Sequence, residues 1–252
     1  MAKVGRPRLY PDDRTKWREM KRRQRRAAVV SAIPCRQLGP HCTLYQGDWQ
    51  TVYALLPRHA AVITDPPYKV SYDYTRARRR PATWDHNFVG HDQDFDPTPW
   101  LRFPEVILFG ADHYCEHLPQ RGTWWCWQKT PGQNSADFAA CEWIWLSMGK
   151  RPYAFDHLWR GGMRAGEENY SRLPQKLHPA QKPVALLTAL VEQTTAPVII
   201  DPFMGSGTTL AACVRLGRPC IGIELDPAYF ATACARVQAE LQQLALFPRE
   251  PA

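Results

Sequence analysis

An α/β fold with a mainly parallel sheet is what this sequence predicts, and three observations carry the prediction. Short apolar runs alternate with segments of helical periodicity over much of the 252 residues. That alternation implies right-handed crossovers between parallel strands. Two loops rich in Gly or Pro also leave the ends of two such runs, Asp65-Pro66-Pro67-Tyr68 and Asp201-Pro202-Phe203-Met204-Gly205-Ser206-Gly207-Thr208-Thr209. The carboxyl ends of strands are where open parallel sheets bind ligands.

The elements follow in order. Thr43–Gln46 reads as a strand ending at Gly47-Asp48, Trp49–Leu56 as a short helix, and Ala60–Thr64 as a second strand running into Asp65. Residues 69–100 lose periodicity and read as an irregular insertion. Glu105–Phe109 and Gly122–Trp127 are strand-like, Ala136–Met148 reads as helical, and Tyr153–Trp159 as a strand before a Gly- and charge-rich loop from Arg160 to Lys176. In Val184–Gln193 the apolar residues at 184, 187, 190 and 191 have helical spacing. Val198–Ile200 is a buried strand, Thr208–Leu216 a helix closed by Gly217, and Cys220–Glu224 a strand. Asp226–Leu244 is a helix with Phe230, Ala233, Val237, Leu241 and Leu244 on one face. The ten tryptophans read as core. No internal repeat is evident.

Charge is unevenly placed. Residues 1–30 hold eleven Lys/Arg and three acids, against totals of 32 and 24, so the whole net charge of +8 sits in this leader and the rest is neutral. A basic arm over residues 1–30 favours a polyanion, nucleic acid being the commonest. Gly5-Arg6-Pro7-Arg8 resembles an AT-hook core, whose arginines (here Arg6 and Arg8) enter a narrow minor groove. A short helix follows, capped by Asp12 or Asp13, with Trp17, Met20 and Ala27 as a thin apolar stripe; a solvated tail is the alternative. A hydrophobic content of 44% excludes a wholly disordered chain. No uncharged apolar run approaches the roughly 18 residues of a membrane span. No secretory signal is read, so a soluble, cytoplasmic protein is expected. The eight cysteines form no CxxC pair and read as buried free thiols, and no metal is expected.

Glycines at 205 and 207 let the backbone approach a ligand, and the helix starting near Thr208 points its N-terminus there. A Walker loop needs a Lys before Ser/Thr, which is missing, and the third glycine of a dinucleotide fingerprint is replaced by Leu210. Glu224 ends the next strand at a distance suited to ribose hydroxyls, so glycine loop plus acid reads as a nucleoside-cofactor site. A tight turn with a surface Glu is the bland alternative. In the other loop, Pro66 and Pro67 stiffen the turn and leave the Pro66 carbonyl oriented. Asp65 and that carbonyl suit an exocyclic amine, with Tyr68 stacking on the ring; as a lone tetrapeptide it could be a mere loop.

Together with His178-Pro179-Ala180-Gln181-Lys182-Pro183 and Gly222-Ile223-Glu224-Leu225-Asp226, these segments resemble the amino-methylating DNA methyltransferases, which methylate adenine N6 or cytosine N4 from S-adenosylmethionine. The match is specific over roughly residues 42–68 and 178–240. The order, catalytic loop before glycine loop, resembles that family's circularly permuted β arrangement. The resemblance implies a Rossmann-like methyltransferase fold over 31–252, a mainly parallel seven-stranded sheet with helices on both faces, and a target-recognition insertion at about 69–100. The strand ending at Gln46 should lie beside the one ending at Glu224. Two positions depart from the family: Ala180 replaces a Thr, and Met204 a small residue.

By resemblance, Asp65, Pro66, Pro67 and Tyr68 are catalytic. Asp201, Pro202, Phe203, Gly205, Ser206, Gly207 and Thr208 shape the cofactor pocket, Glu224 takes the ribose, and His178, Gln181 and Lys182 lie near the methionine end. Asp48 matches the acid that holds the cofactor's adenine amine, an ordinary turn Asp being the alternative. The resemblance implies double-stranded DNA as partner, with a homodimer and a cognate restriction endonuclease as candidate partners and no membrane. Arg76, Arg78, Arg79 and Arg80 could meet phosphates or guanine edges, or be a solvated charge run. Asp at the first position favours adenine N6 over cytosine N4. An RNA or protein methyltransferase, and a non-catalytic DNA-binding protein with this fold, stay open as alternatives.

Overall fold

In the computed structural model, which describes residues 15–18, 20–21, 33–69, 94–132, 139–149, 151–160, 163–165 and 180–246, the apolar runs pair into one nine-stranded sheet. The strands are β1 (Cys35–Leu38), β2 (Cys42–Gln46), β3 (Ala61–Thr64), β4 (Glu105–Phe109), β5 (Thr123–Gln128), β6 (Cys141–Leu146), β7 (Tyr153–Asp156), β10 (Ile199–Asp201) and β11 (Cys220–Glu224). Their order is β1-β2-β11-β10-β3-β4-β6-β5-β7. The expected seven strands become nine because β1 folds back antiparallel onto β2 and β7 adds to the far edge beside β5. From β2 through β11, β10 and β3 to β4 every pairing is parallel. A separate hairpin joins β8 (Trp159–Arg160) to β9 (Met163–Arg164), so the predicted strand Tyr153–Trp159 is two strands in different sheets.

The permuted order is visible in the register. Gln46 lies opposite Glu224, and Ile200 opposite both Ile221 and Val62. β10 and β3 are thus neighbours, and the chain leaves both at the same rim.

One element overturns its prediction. Ala136–Met148, read as helical, contains β6, antiparallel between β4 and β5. Its apolar run is too short for a helix and is aromatic and β-branched, and pairing on both sides satisfies its backbone. Residues 133–138 lie outside the described residues.

The helices of the second of two compact units, Cys35–Ala252, are α1 (Trp49–Val52), α2 (Val184–Glu192), α3 (Thr208–Arg215) and α4 (Pro227–Leu246). Asp48 caps α1, its Oδ1 accepting from Gln50 N–H at 2.9 Å, and Asp226 caps α4 through Ala228 and Tyr229. Gly217 ends α3 in the left-handed region, as the sequence predicts. Arg215 and Glu240 tie α3 to α4 through a forked pair of bonds at 2.8 and 2.6 Å. Leu186, Leu187, Leu190 and Val191 of α2 are buried with Phe230, Ala233 and Val237 of α4 in the core.

In the first unit, Met1–Pro34, residues 15–18 and 20–21 are helical, Trp17 and Met20 are exposed, and the Lys21 ammonium lies 4.0 Å from the Trp17 ring centroid. The Arg6–Arg8 segment lies outside the described residues. Trp100, Trp127 and Trp145 are fully buried, but Trp17 and Trp143 are exposed, correcting the reading of every Trp as core. The cysteines also divide: Cys42, Cys213 and Cys220 are buried, whereas Cys35 and Cys115 are exposed. No helix among the described residues is long and apolar enough to cross a membrane.

The strand assignment of β6 makes adjacent residues unequal. Ile144→Ala is expected to cost about 2–5 kcal/mol, because the buried side chain leaves a cavity. Trp143→Thr should stay within about 0.5 kcal/mol. Urea unfolding of both variants checks this; equal losses would return the segment to a helix.

Candidate active site

The two loops meet because β3 and β10 are neighbours. Thr64, the last residue of β3, donates its hydroxyl to Asp201 Oδ1 at 2.8 Å across 137 positions of sequence. Phe203 N–H donates to the same oxygen at 3.2 Å, turning the chain as it leaves β10. Burial pushes the Asp201 carboxyl up to about 6, against the hydroxyls of Thr209 and Thr64 and the Phe203 N–H, which favour the ionised form. One cleft is lined by Asp65, Gln181, Lys182, Asp201, Gly205 and Thr208, so both loops face a common space.

On the glycine side, Gly205 and Gly207 have φ of 50° and 76°, the left-handed region that favours glycine. A Cβ on Gly207 would stand 3.0 Å from the Ala233 Cβ, so the loop also packs tightly on α4. Glu224 braces the loop from β11: one carboxylate oxygen accepts from Gly205 N–H at 2.9 Å and the other from Asp226 N–H at 2.8 Å. A carboxylate has about four lone-pair sites, so acceptor capacity is left for a ligand's hydroxyls. Gly47 N–H donates to the Glu224 carbonyl at 2.8 Å, which brings exposed Asp48 to the same rim. Asp48 spends one oxygen on capping α1, the turn role that the sequence left open. Pro202 and Ser206 are buried, and Phe203 packs edge-on against Trp49 and Trp100.

On the other side, Pro66 is buried while Asp65, Pro67 and Tyr68 are half-buried. Tyr68 stacks on His113 at 4.6 Å and 19°. Gly110 makes its room: a Cβ there would come within 2.3 Å of the Tyr68 ring. Tyr114 donates to the Phe109 carbonyl at 2.6 Å, and Phe95 sits between Tyr114 (5.0 Å) and Phe203 (6.1 Å). Burial pushes the Tyr68 and Tyr114 hydroxyls well above the ordinary phenol range.

Lys182 gives the largest surprise. The resemblance places it at the methionine end of the cofactor, yet its ammonium hydrogen-bonds Asp65 Oδ2 and lies 3.1 Å from Glu142 Oε1. Lys129 holds the other Glu142 oxygen at 2.6 Å. Burial raises the Asp65 carboxyl while Lys182 opposes it. Burial also works against the Glu142 charge, but Lys182 and Lys129 hold that carboxyl down at about 2.

Sequence reasoning missed Thr64, Gly110, Tyr114, Glu142, Lys129 and Arg236, the last donating to Thr208 Oγ1 at 2.9 Å and to Ser206 Oγ at 3.3 Å. A Glu inside the aromatic run of β6 and a Gly directly after β4 were the available signals. His178 and Arg76, Arg78, Arg79 and Arg80 lie outside the described residues.

Residues 121–235 match the N6/N4 methylase family model, described as DNA methylase. The matched segment contains Lys129, Glu142, Lys182, the glycine loop and Glu224, and leaves Asp65 outside. The Type II methyltransferase M.ScaI of Streptomyces caespitosus is 34% identical over 121 residues, 46% of this chain and 36% of that protein. The chain spans about a third of the length of the curated relatives it matches. Among solved structures, the cytosine-N4-specific PvuII DNA methyltransferase aligns with a TM-score of 0.50 at 15% identity, over 81% of this chain and 91% of that one. M1.HpyAVI, solved as its SAM complex, aligns with a TM-score of 0.48 at 22% identity, over 78% and 98%. The fold is thus that of Rossmann-like DNA methyltransferases, and the chain is similar in sequence to the amino-methylating branch.

Two outcomes follow from the packing and the charge. Gly110→Ala strains a backbone at φ 59° and drives the new Cβ into Tyr68, so it should destabilise by about 1–3 kcal/mol and lose the Tyr68–His113 stack, read by urea unfolding and tyrosine near-ultraviolet dichroism. Because the folded carboxyl of Asp201 titrates near 6, above its unfolded value, folding takes up a proton between about pH 4 and 6. The stability this supplies falls as pH rises through that window. The stability difference between wild type and Asp201→Asn should therefore shift against wild type by on the order of 2–3 kcal/mol from pH 4 to pH 7. A pH-independent difference in denaturant titrations would refute it.

Proposed function

We propose that this chain, similar over residues 121–235 to the DNA methylase family, is an S-adenosylmethionine-dependent DNA methyltransferase acting on the exocyclic amine of a flipped base, adenine N6 in preference to cytosine N4. The observation that carries the reading is the single cleft lined by both Asp65 and Gly205. An amine gripped at the first loop there meets a methyl donor seated on the second.

The residues present fit such a cofactor. The Gly205–Gly207 turn takes a left-handed path that favours glycine and lines the cleft at Gly205, and Glu224 keeps acceptor capacity for ribose hydroxyls. Phe203 of the same loop is the aromatic candidate for the cofactor's adenine, Asp48 follows the Gly47 that bonds the Glu224 carbonyl and is the candidate for the adenine amine, and Gln181 lines the cleft that Asp65 shares. When bound, S-adenosylmethionine supplies a methyl group already activated by its sulfonium.

The chain's own task is the acceptor. An exocyclic amine is a poor nucleophile because its lone pair is conjugated into the ring. Asp65 and the Pro66 carbonyl each accept one N–H, favouring a pyramidal nitrogen and stabilising the charge that develops on it. Lys182 occupies Asp65 Oδ2, so the other carboxylate oxygen takes the amine. Tyr68, backed by His113, replaces part of the stacking that the base loses on leaving the duplex. Lining the cleft with both loops supplies orientation, which is worth several kcal/mol when reacting atoms are aligned. The basic arm with Arg6 and Arg8, and Arg76, Arg78, Arg79 and Arg80, are the proposed contacts to double-stranded DNA.

The choice of adenine rests on Asp at position 65, where cytosine-N4 enzymes of the resembled family more usually carry Ser. The fold does not choose, since the PvuII neighbour is cytosine-N4-specific.

Incubation with unmethylated double-stranded DNA and labelled S-adenosylmethionine, followed by nucleoside mass spectrometry, tests the reading. N6-methyladenine is expected, and Asp65→Ala should lower its formation by more than about 100-fold while cofactor binding by calorimetry is kept. N4-methylcytosine instead would overturn the adenine choice, and no methylated base would overturn the activity.

A further inference from the structure

We propose that Glu142 and Lys129 are positioning residues that set the orientation and charge of the Asp65 carboxylate by acting through Lys182. Four elements converge on this arrangement: the loop after β3 (Asp65), the segment entering α2 (Lys182), β6 (Glu142) and the end of β5 (Lys129). Their charges alternate in sign along the chain of contacts. Lys182 and Glu142 side chains are each 11% exposed, so neither charge is stable there without its partner.

A lysine alone is a point charge on a flexible stem and cannot fix a carboxylate's direction. Here four groups surround its ammonium: Asp65, Glu142 at 3.1 Å, the Ala180 carbonyl at 3.5 Å, and the Phe109 ring centroid at 5.2 Å. Glu142 is itself fixed, because Lys129 takes its second oxygen at 2.6 Å while lying 5.0 Å from the Trp127 ring centroid. The β5–β6 pairing sets that last contact: Gln128 is opposite Cys141, and Lys129 N–H donates to the Ala140 carbonyl at 2.8 Å. The hairpin therefore transmits a rigid position to Lys182, and Lys182 to Asp65. Neither Glu142 nor Lys129 lines the cleft, so both act at one remove.

The charges give the arrangement a signature. Asp65 is faced by Lys182, Glu142 and Lys129, by Tyr68 of its own loop, by Tyr114 from the 3-10 turns after β4, and by Asp201 of β10. Glu142 raises the carboxyl and Lys129 lowers it. Removing one charge or the other therefore moves Asp65 in opposite directions, which a loss of packing would not do.

The inference rests on the proposed role of Asp65, and the test separates the two. Carboxyl-carbon NMR of the full chain, without DNA or cofactor, follows the Asp65 titration, assigned by its loss in Asp65→Asn. Glu142→Gln should move the midpoint to lower pH, Lys129→Met to higher pH, and Lys129→Arg should restore it. In methyl transfer, Glu142→Gln should lower kcat about tenfold with KM for DNA within about twofold, and the acid limb of kcat should follow the NMR midpoints. Unmoved midpoints in folded variants overturn the positioning role. Should Glu142→Gln not fold, the Lys129 pair decides: equal midpoints in Met and Arg variants overturn it, and a shift in Met alone supports it. If the midpoints move as stated but wild type methylates no base, the positioning stands and the proposed activity falls.

Discussion

The site depends on one buried contact, the Thr64 hydroxyl on Asp201 Oδ1. β3 and β10 are neighbours in the sheet although a long stretch of chain, including β4 to β9 and α2, separates them. Parallel pairing aligns their carboxyl ends, and the order of strands reverses direction along the sheet at this point, where ligand crevices open. The hydrogen bond joins the last residues of both strands, so the loops that follow begin from one fixed origin. A bond to a buried carboxylate of this kind contributes about 1.5–3 kcal/mol, and its loss would leave Asp201 Oδ1 with the Phe203 N–H as donor. The cleft shared by Asp65 and Gly205, and the wedge of Phe95 between Tyr114 and Phe203, follow from that origin.

Three carboxylates stand at this rim in three environments, and each environment fits a different task. Asp201 receives only neutral donors and is 3% exposed at the edge of the cleft, so burial works against its charge while its bonds to Thr64 and Phe203 hold the loop. Glu224 is braced by backbone N–H groups on both oxygens, which fixes its direction while leaving lone pairs outward. Asp65 alone is paired with a full positive charge. Burial raises its carboxyl, and the Lys182 ammonium opposes that rise by favouring the ionised form.

Most of the sheet was legible because its strands are apolar runs bounded by Gly, Pro and Asp, and the glycine loop because its φ angles demand glycine. That the strand ending at Gln46 lies beside the one ending at Glu224 followed from the permuted order of motifs, and the structure adds the register. What was hidden depends on tertiary pairing. β6 looked like part of a helix because it was read together with residues 136–140 as one longer segment, and one of its partners, β4, is distant in sequence. That misreading also concealed Glu142, whose meaning appears only when the strand places it beside Lys129 and Lys182. Thr64 looked like the end of an apolar strand, and Arg236 like the solvated face of α4. β1 escaped notice because its residues are largely exposed and it needs only β2 as a template.

Met204 shows how the chain absorbs a departure from the pattern it resembles. A small residue is usual before the first glycine of the loop, and a thioether there needs volume from elsewhere. Gly222 of β11 supplies it: a Cβ at that position would lie 2.3 Å from Met204 Sδ and 2.8 Å from a Leu210 methyl. The side chain is buried, and its backbone still donates to the Ile223 carbonyl at 3.0 Å and accepts from Gly207 N–H at 2.8 Å. The loop therefore keeps its path over the end of β11, with Gly205 on Glu224, because the strand beneath has no side chain at the point of contact. The extra bulk is accommodated against Gly222 and Leu210, and Met204 also lines the cleft that Asp65 and Gly205 share.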